Sequence, residues 1–259
     1  MNDLVDMIWV EVRKAVRSRM PLFTTVGSLF MPLGIGFLIF IATKPDLSRK
    51  LGLVSAKANL LAYATTSWPT YLALLAQMIA AGGFFVFCLI ICWVFGREFV
   101  DGTVKDMLAV PVRRASILLA KFIVAGAWSA ALALVIFVAG LVLGALIGLP
   151  QGSPDALWQG SVLVAVTACL VIVVVMPFAL FASMGRGYLL PIGVAVLALI
   201  MANIVVVAGW GEYFPWAVPG LYAQGKGYLV PFSYAIAILT GLAGMIGTYL
   251  WWMYADQSG

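Results

Sequence analysis

Residues 96–122 read GREFVDGTVKDMLAVPVRRASILLAKF, and this stretch holds the densest cluster of charge in the chain. Seven charged side chains lie between Arg97 and Arg114, whereas the sequence on either side is long and apolar. Each such group at a bilayer centre costs about 2.5–3.5 kcal/mol, so seven together would cost roughly 20 kcal/mol. We therefore predict a loop, residues 96–116, that lies in water or against another protein and is tied at each end to a membrane span.

Local signals predict a short helix inside this loop. Thr103 and Asp106 have the spacing of a capping box, in which the threonine hydroxyl accepts from a backbone N–H of the first turn. Pro111 is predicted to end the helix at residue 109 or 110, and Ser116 is the predicted cap of the next helix. The apolar face of the short helix consists of Val104, Met107 and Leu108.

The composition is that of an integral membrane protein. The chain is 64% hydrophobic and 10% charged, with a mean hydropathy of +1.10, whereas a soluble domain has about 25% charged residues. The 259 residues leave no room for a separate soluble catalytic domain, and no phosphate-binding loop motif is present. ATP hydrolysis, if it powers this protein, is expected on another chain.

Several chemistries lack the residues they need. The chain has no histidine, which excludes histidine-based metal sites, Ser–His dyads and histidine proton relays. Cys88, Cys92 and Cys169 all fall in apolar runs, so we predict three small buried side chains and no metal site. The net charge of +5 suits basic loops at a membrane, not a nucleic-acid-binding surface, because no soluble aromatic platform accompanies the basic residues.

Six apolar segments are long enough to cross the bilayer. We predict spans at 21–43, 71–95, 117–149, 158–184, 188–208 and 231–254. The connection 44–70 has apolar residues at helical spacing, which favours a short surface helix. Gly140, Gly144 and Gly148 recur at every fourth residue and predict close contact with another helix. Pro177 is predicted to break the fourth span near its inner end.

Residues 1–20 are predicted to form a helix that lies flat at the membrane surface. An apolar arc that includes Val5, Trp9 and Val12 opposes a charged arc that includes Asp6, Arg13 and Arg17, which is typical of interfacial helices. A frayed tail is the alternative. The domain division is therefore an amphipathic helix at 1–20 and a membrane domain at 21–259.

The distribution of basic residues predicts the orientation. With both termini inside, ten of the 15 lysines and arginines face the cytoplasm and five face outward, as the positive-inside rule requires. We therefore expect a multi-pass protein of a bacterial inner (cytoplasmic) membrane with the N- and C-termini in the cytoplasm.

The outer connection 209–230 is unusually aromatic. It contains Tyr213, Phe214 and Trp216, and it is predicted either to dip back into the outer leaflet as a re-entrant segment or to form an interfacial belt. Within the spans, Gln77 and Asn203 are the isolated amides. They are candidates for the substrate pathway, or alternatively for hydrogen bonds between helices.

The span centres hold essentially no ionisable group. Such groups mark ion pathways and proton relays, so their absence argues against an ion-coupled transporter, a charged-filter channel and an intramembrane protease. The energy input is therefore expected to reach this protein from outside the bilayer, through the charged loop.

The loop also resembles a known family. The order Arg-Glu, Asp-Gly-Thr, Leu-Ala-Val-Pro-Val-Arg-Arg and Leu-Leu-Ala-Lys is similar to the first cytoplasmic loop of type-2 ABC transporter permeases, and most similar to those of bacitracin and lantibiotic self-protection. The resemblance implies an all-α fold of six spans, an N-terminal elbow helix, and a coupling helix between spans two and three. It also implies two permeases, identical or related, with two ATPase subunits that carry Mg-ATP, and an outer gate in the 209–230 connection.

The resemblance assigns ATPase docking to one set of loop residues. That set is Glu98, Asp101, Thr103, Val104, Lys105, Asp106, Met107, Leu108, Arg113 and Arg114. The acidic members would pair with basic groups of the ATPase, the basic members with acidic groups or phospholipid headgroups, and the apolar members would fill a groove. Candidate residues of the substrate pathway and outer gate are Gln77, Asn203, Tyr213, Phe214 and Trp216.

The function expected from these features is ATP-driven export of an amphipathic or hydrophobic substrate, with no catalysis and no cofactor on this chain. Membrane lipid is an expected partner and nucleic acid is not. Two alternatives remain. One is a membrane scaffold or sensor that docks a cytoplasmic partner without moving a substrate; the other is an enzyme acting on lipids, for which only Glu212 and neighbouring tyrosines are available.

Overall fold

The computed structural model describes residues 3–43, 67–149, 153–224 and 229–254, and every regular element in them is helical. In chain order the helices are α1 (Asp3–Arg17), α2 (Met20–Thr43), α3 (Trp68–Met78), α4 (Phe84–Val100), α5 (Val104–Ala109), α6 (Arg114–Leu146), α7 (Pro154–Val175), α8 (Phe178–Met184), α9 (Leu189–Val207), α10 (Val218–Ala223) and α11 (Pro231–Tyr254). A π-helical turn, Ile79–Gly83, joins α3 to α4 without a break, and a 3₁₀ turn, Gly211–Tyr213, precedes α10.

The six predicted spans are confirmed. In the described parts of the chain, six helical segments are long and apolar enough to cross a membrane. The second and third, Trp68–Val100 and Arg114–Leu146, have 33 residues each, which at 1.5 Å per residue gives about 50 Å. Both exceed the roughly 30 Å of hydrocarbon, so they project beyond it. The surface helix predicted within 44–70 lies outside the described residues.

The second span is the centre of the bundle. α3 packs most extensively on α7, and α4 contacts α6, α8 and α9. Leu72, Leu75, Phe87 and Phe95 along this span are fully buried. α2, α6, α9 and α11 instead expose large apolar side chains on their outer faces, which is the arrangement expected where lipid or another membrane subunit covers them.

Small residues set the closest helix contacts. A Cβ on Gly140 would lie 2.6 Å from Leu75, and one on Gly144 would lie 2.8 Å from the Trp68 ring. Tyr71 donates a 2.8 Å hydrogen bond to the Gly140 carbonyl. The predicted contact stripe is therefore confirmed at these two glycines. Gly148 has a different role, because it ends the helix with φ of 75°, a conformation that favours glycine.

Pro177 interrupts the fourth span as predicted. α7 ends at Val175, α8 begins at Phe178, and Pro177 is the N-cap between them. The break packs against α11, where a Cβ on Gly244 would lie 2.6 Å from the Pro177 backbone nitrogen. Proline cannot supply the backbone N–H that a continuous helix needs.

One cysteine differs from the prediction. Cys88 and Cys92 are buried with their Sγ atoms 3.7 Å apart, but Cys169 is exposed on α7. It lines an apolar groove of about 420 Å³ between α6 and α7. An apolar sequence context does not distinguish the inside of a bundle from its lipid-facing side, because both are free of water.

We expect Gly244→Ala to lower stability by about 1–3 kcal/mol, the usual cost of overpacking a tight contact. The added Cβ meets Pro177 backbone atoms, which cannot move aside as a side chain would. Thermal unfolding of the detergent-purified protein measures this change. Gly126→Ala is the control, because its Cβ would lie 3.9 Å from Met176. Equal melting temperatures for the two variants would contradict the packing argument.

Candidate functional site

The short helix α5 lies at the end of the bundle that carries the loops 101–113 and 185–188, which we call the charged end. Thr103 N–H donates to the Glu98 carbonyl at 2.9 Å, and Gly102 turns the chain with φ of 70°. At the other end Val110 is extended, as expected for a residue before proline. The predicted bounds of α5 are thus observed.

The two predicted caps have different outcomes. Thr103 is the N-cap residue of α5, as predicted, but its side chain makes no capping hydrogen bond. Ser116 lies inside α6, whose N-cap is Arg113. The residue that follows a Pro-X pair can start a helix without a serine, since the N-terminal donors of an exposed helix end can be satisfied by water.

The apolar side of α5 faces this chain. Val104 is buried, and Met107 packs on a small cluster formed by Met7, Ile117 and Ala120. These contacts hold α5 against α1 and α6. Val104 and Met107 are therefore covered by their own protein, and the predicted groove-filling role would require α5 to leave this position.

Beneath α5, four charged side chains form a buried network that we call the ion-pair network: Glu11, Lys14, Glu98 and Lys121. The Lys121 Nζ lies 2.6 Å from Glu98 Oε1 and 3.4 Å from Glu11 Oε1. The Lys14 Nζ lies 2.8 Å from Glu11 Oε1 and 3.1 Å from Glu98 Oε1. Lys121 is 0% exposed and both carboxylates are about 4% exposed, whereas the Lys14 side chain is 32% exposed, so the two positive and two negative charges neutralise one another in a largely buried network.

The network joins elements that are far apart in sequence. Lys121 also donates to the Val94 carbonyl at 2.9 Å, so α6 is bound to α4 by both backbone and side chain. Lys14 of α1 donates to Glu11 and to Glu98, so α1 is bound to the same Glu98–Lys121 pair. An unpaired charge in a low-dielectric interior is strongly destabilising, whereas a paired one holds its partners in a fixed geometry. The network therefore fixes the N-terminal helix and the ends of two spans together.

Lys14 is the member of the network nearest to solvent. Burial alone lowers the pKa of its ammonium, but the adjacent Glu11 and Glu98 carboxylates outweigh that effect and raise the pKa above its ordinary value. Lys14 consequently stays protonated throughout the physiological range, and the network keeps its charge balance.

The sequence did not predict this network. The sequence assigns Glu98 to the docking surface and indicates no charged partner for Glu11 or Lys121. One signal was available: Glu98 and Lys121 stand near the ends of the two helices that the charged loop joins, each inside a largely apolar stretch. Opposite charges placed in this way on neighbouring helices can meet across the hairpin.

The other predicted docking residues separate into two groups. Asp101, Thr103 and Asp106 line a cavity of about 450 Å³ between α1 and α5, which has Glu98 and Met107 in its wall. Lys105 and Arg113 are exposed. Arg114 is also exposed but donates to the Trp252 carbonyl at 2.9 Å, which ties the start of α6 to the end of α11. The Leu108 side chain lies outside the description.

The segment that follows α9 returns into the bundle. The Trp216 indole N–H donates to the Val174 carbonyl at 3.0 Å, and its ring lies 6.3 Å from that of Phe178. Phe178 in turn packs edge-on against Phe84 at 5.7 Å. Phe84 is the middle residue of the span Trp68–Val100, so Trp216 lies near mid-height of the bundle.

Three of the five predicted pathway residues come together there. Gln77, Asn203 and Trp216 line one open pocket of about 280 Å³ that also includes Ala80 of the π-helical turn and Gln224. The Asn203 amide donates to Leu199 of its own helix at 2.8 Å. Tyr213 and Phe214 are not in this pocket lining; Tyr213 packs on Phe232, with ring centroids 5.8 Å apart, and Phe214 packs on Trp216.

The described residues bring no three histidine, cysteine, aspartate or glutamate side chains together as a metal site. The charged end exposes both acidic and basic side chains, among them Asp101, Lys105, Asp106 and Arg113. The pocket at Trp216 combines amide groups with aromatic and aliphatic walls.

Comparison with known proteins agrees with this architecture. A family model described as "ABC-2 family transporter protein" matches residues 7–203, which is more than half of the chain. The chain belongs to this family. It is also similar to the bacitracin transport permease protein BCRB of Bacillus licheniformis, at 24% identity over 168 residues that cover 63% of this chain and 80% of the relative.

Family membership establishes the general role. The chain is a multi-pass membrane permease subunit of an ABC-2 transporter. Membership also implies association with a separate ABC ATPase, and the region matched by the family model contains the charged loop, α5 and the whole ion-pair network.

We expect Lys121→Met to destabilise the protein by about 3–5 kcal/mol, because the buried Glu11 and Glu98 carboxylates would then share a single positive charge, that of Lys14. The double variant Glu98→Gln with Lys121→Met removes one charge of each sign, leaves Glu11 paired with Lys14, and should recover much of the loss. Thermal unfolding in detergent measures both. A double variant that is less stable than Lys121→Met would show that the charges are not coupled as the geometry indicates.

Proposed function

We propose that this protein is the membrane-spanning subunit of an ATP-driven exporter in a bacterial cytoplasmic membrane, with both termini and the charged end in the cytoplasm. In this proposal Mg-ATP is bound and hydrolysed by a partner ATPase that contacts α5. The observation that carries the proposal is the position of α5: its charged side is exposed, and Met107 on its apolar side packs on Met7, Ile117 and Ala120 of α1 and α6.

This arrangement suits the transmission of force. α5 is joined to α4 by the three residues 101–103 and to α6 by the four residues 110–113. The network beneath it binds α4, α6 and α1 to one another. A displacement of α5 by a partner would therefore move two spans and the N-terminal helix as one body, because paired buried charges resist separation.

The structure suggests a division of roles among the docking candidates. We assign ATPase contact to the exposed side chains of Asp101, Thr103, Lys105, Asp106 and Arg113. Glu98, Val104 and Met107 are positioning residues that hold α5 in place. Exposed ion pairs each contribute little free energy, so the charged residues set the register of docking, and the fit of the whole α5 surface provides the affinity.

The docking surface can be tested with a photo-crosslinking residue at position 106 and a matched one at position 155. Asp106 and Asp155 are both exposed aspartates near helix starts, but they lie at opposite ends of the bundle in this topology. We expect the ATPase to be crosslinked from position 106 and not from position 155, as detected by mass spectrometry of the complex. Crosslinking from position 155 alone would overturn the proposed docking surface and the orientation with it.

The substrate pathway is proposed to run along the pocket at Gln77, Asn203 and Trp216. This pocket is open at the surface of the chain, where Gln77 and Asn203 are exposed, so a second permease copy is needed to enclose it. Binding of ATP by the partner subunits would then open the pathway alternately to the two sides. The re-entry of residues 211–223 into the bundle supports the proposal that this segment forms the outer gate.

The pocket chemistry favours an amphipathic cargo. Its polar groups are uncharged amides, and its walls are aliphatic and aromatic, so it offers no counter-ion for a strongly charged solute. The similar permease is named for bacitracin transport. We therefore propose a peptide antibiotic of this kind, or a lipid-like molecule, as the class of substrate.

Trp216→Phe is expected to reduce substrate-stimulated ATP hydrolysis by the reconstituted complex. The change removes the N–H that holds the segment to Val174 and leaves that carbonyl without its partner, a loss of about 1–3 kcal/mol for a buried acceptor. Trp210→Phe is the control, since Trp210 is 68% exposed. If both variants respond to bacitracin as the unmodified complex does, the proposed gate is wrong.

A further inference from the structure

A second cavity at the charged end is lined mainly by positive charge. It lies between α1 and α4, has a volume of about 450 Å³, and is bordered by Trp9, Arg13, Lys14, Arg17 and Arg97. Four cationic side chains from two helices therefore surround one space. Neither the docking surface on α5 nor the pocket at Trp216 includes this space.

The positive charge in this cavity is only partly neutralised. Lys14 is paired with Glu11 and Glu98, and the Arg97 Nε donates to Asp101 at 3.0 Å. No described carboxylate lies within 4 Å of Arg13 or Arg17. Because like charges in one space repel one another, the site favours an anionic ligand.

Aromatic rings hold two of these guanidinium groups in place. The Arg13 guanidinium lies 4.8 Å from the centroid of the Trp9 ring, and the Arg97 guanidinium lies 5.0 Å from that of Trp93. Stacking of this kind restricts the planar fork of arginine while leaving its N–H donors available. The pairs are thus preorganised for a ligand with several acceptor oxygens, such as a phosphate group.

The surroundings of the cavity indicate that the phosphate belongs to a lipid. α1 is packed on the bundle through Met7, Glu11 and Ala15. The apolar arc of α1 that consists of Val5, Trp9, Val12 and Val16 points away from the protein, because all four side chains are exposed. Trp9 belongs both to that arc and to the cavity. A phospholipid satisfies the two surfaces together, because its phosphate meets the arginines while its acyl chains cover the apolar arc.

We propose that this cavity binds the phosphate headgroup of an anionic phospholipid from the membrane leaflet at the charged end. A zwitterionic lipid would bring its own cation into a space that already holds four. A net-negative headgroup, such as phosphatidylglycerol, neutralises the cavity instead. Lys14 lines this cavity and belongs to the ion-pair network, so the bound phosphate lies next to the charges that fix α1, α4 and α6.

The test is native mass spectrometry of the full-length protein in detergent, titrated with phosphatidylglycerol or phosphatidylcholine. Arg13→Gln with Arg17→Gln removes two exposed charges and no described ion pair, so the fold should be preserved, as thermal unfolding will verify. We expect the unmodified protein to bind phosphatidylglycerol in preference to phosphatidylcholine. The double variant should bind phosphatidylglycerol about thirtyfold more weakly, as the loss of two basic groups near an anionic lipid predicts.

The matched control is Arg19→Gln with Arg186→Gln, which also removes two positive charges, from exposed positions outside the cavity lining. It should bind phosphatidylglycerol almost as the unmodified protein does. If the two double variants weaken phosphatidylglycerol binding equally, the effect comes from net charge alone, and the proposed site is wrong. Displacement of the lipid by an equal concentration of glycerol 3-phosphate would show that the cavity recognises free phosphate, which also overturns the proposal.

A third measurement separates lipid from protein. If Arg13→Gln with Arg17→Gln leaves phosphatidylglycerol binding unchanged but lowers co-purification of the ATPase, the cavity is a docking site for a protein partner and the lipid proposal is wrong. Lipid binding by the isolated chain does not depend on transport. The lipid-binding measurement therefore tests the proposed cavity independently of the proposed export function.

Discussion

The contact between Lys121 and Glu98 is the interaction on which the charged end of this protein depends. Both side chains are buried between helices, where a lone charge would be severely destabilising and would force the chain to rearrange. Glu11 and Lys14 complete the set and bring α1 onto the same point. The short helix α5 is joined by short connections to α4 and α6, the two helices that Glu98 and Lys121 bind together, so its position relative to the spans depends in part on this contact.

The rest of the bundle is held by close packing of small and aromatic residues. Gly140 and Gly244 allow Leu75 and Pro177 to approach to distances that a methyl group would prevent. Phe84, Phe178 and Trp216 form a continuous aromatic contact through the centre. In a membrane, burial of apolar side chains between helices contributes little free energy, because lipid is equally apolar. Such close contacts therefore provide most of the specificity of helix packing. The charged end and the middle of the bundle are therefore held by different interactions: charge pairing of Glu98 with Lys121 at the charged end, and packing of aromatic and small residues around Trp216 in the middle.

Much of the fold was predictable because its signals are local. The bounds of α5 followed from Thr103 at its start and from Pro111 after its end, and the break at Pro177 followed from its missing N–H. The prediction failed for two side chains that have the right chemistry for caps: Thr103 is the N-cap of α5 but makes no side-chain bond, and Ser116 lies inside α6, whose N-cap is Arg113. It was also wrong for Cys169, which is exposed, because an apolar residue can face lipid as readily as the core.

The sequence by itself determined the membrane class, the six spans, the charged loop and the short helix within it, because hydropathy, proline and glycine act over a few residues. Only the tertiary structure decided that Glu98 faces Lys121 and not a partner, and that Met107 packs on α1. It alone brought Gln77, Asn203 and Trp216 to one pocket and four basic side chains to one cavity. These outcomes depend on how helices distant in the chain pack together, and no pattern within a single helix specifies which of its faces another helix will cover.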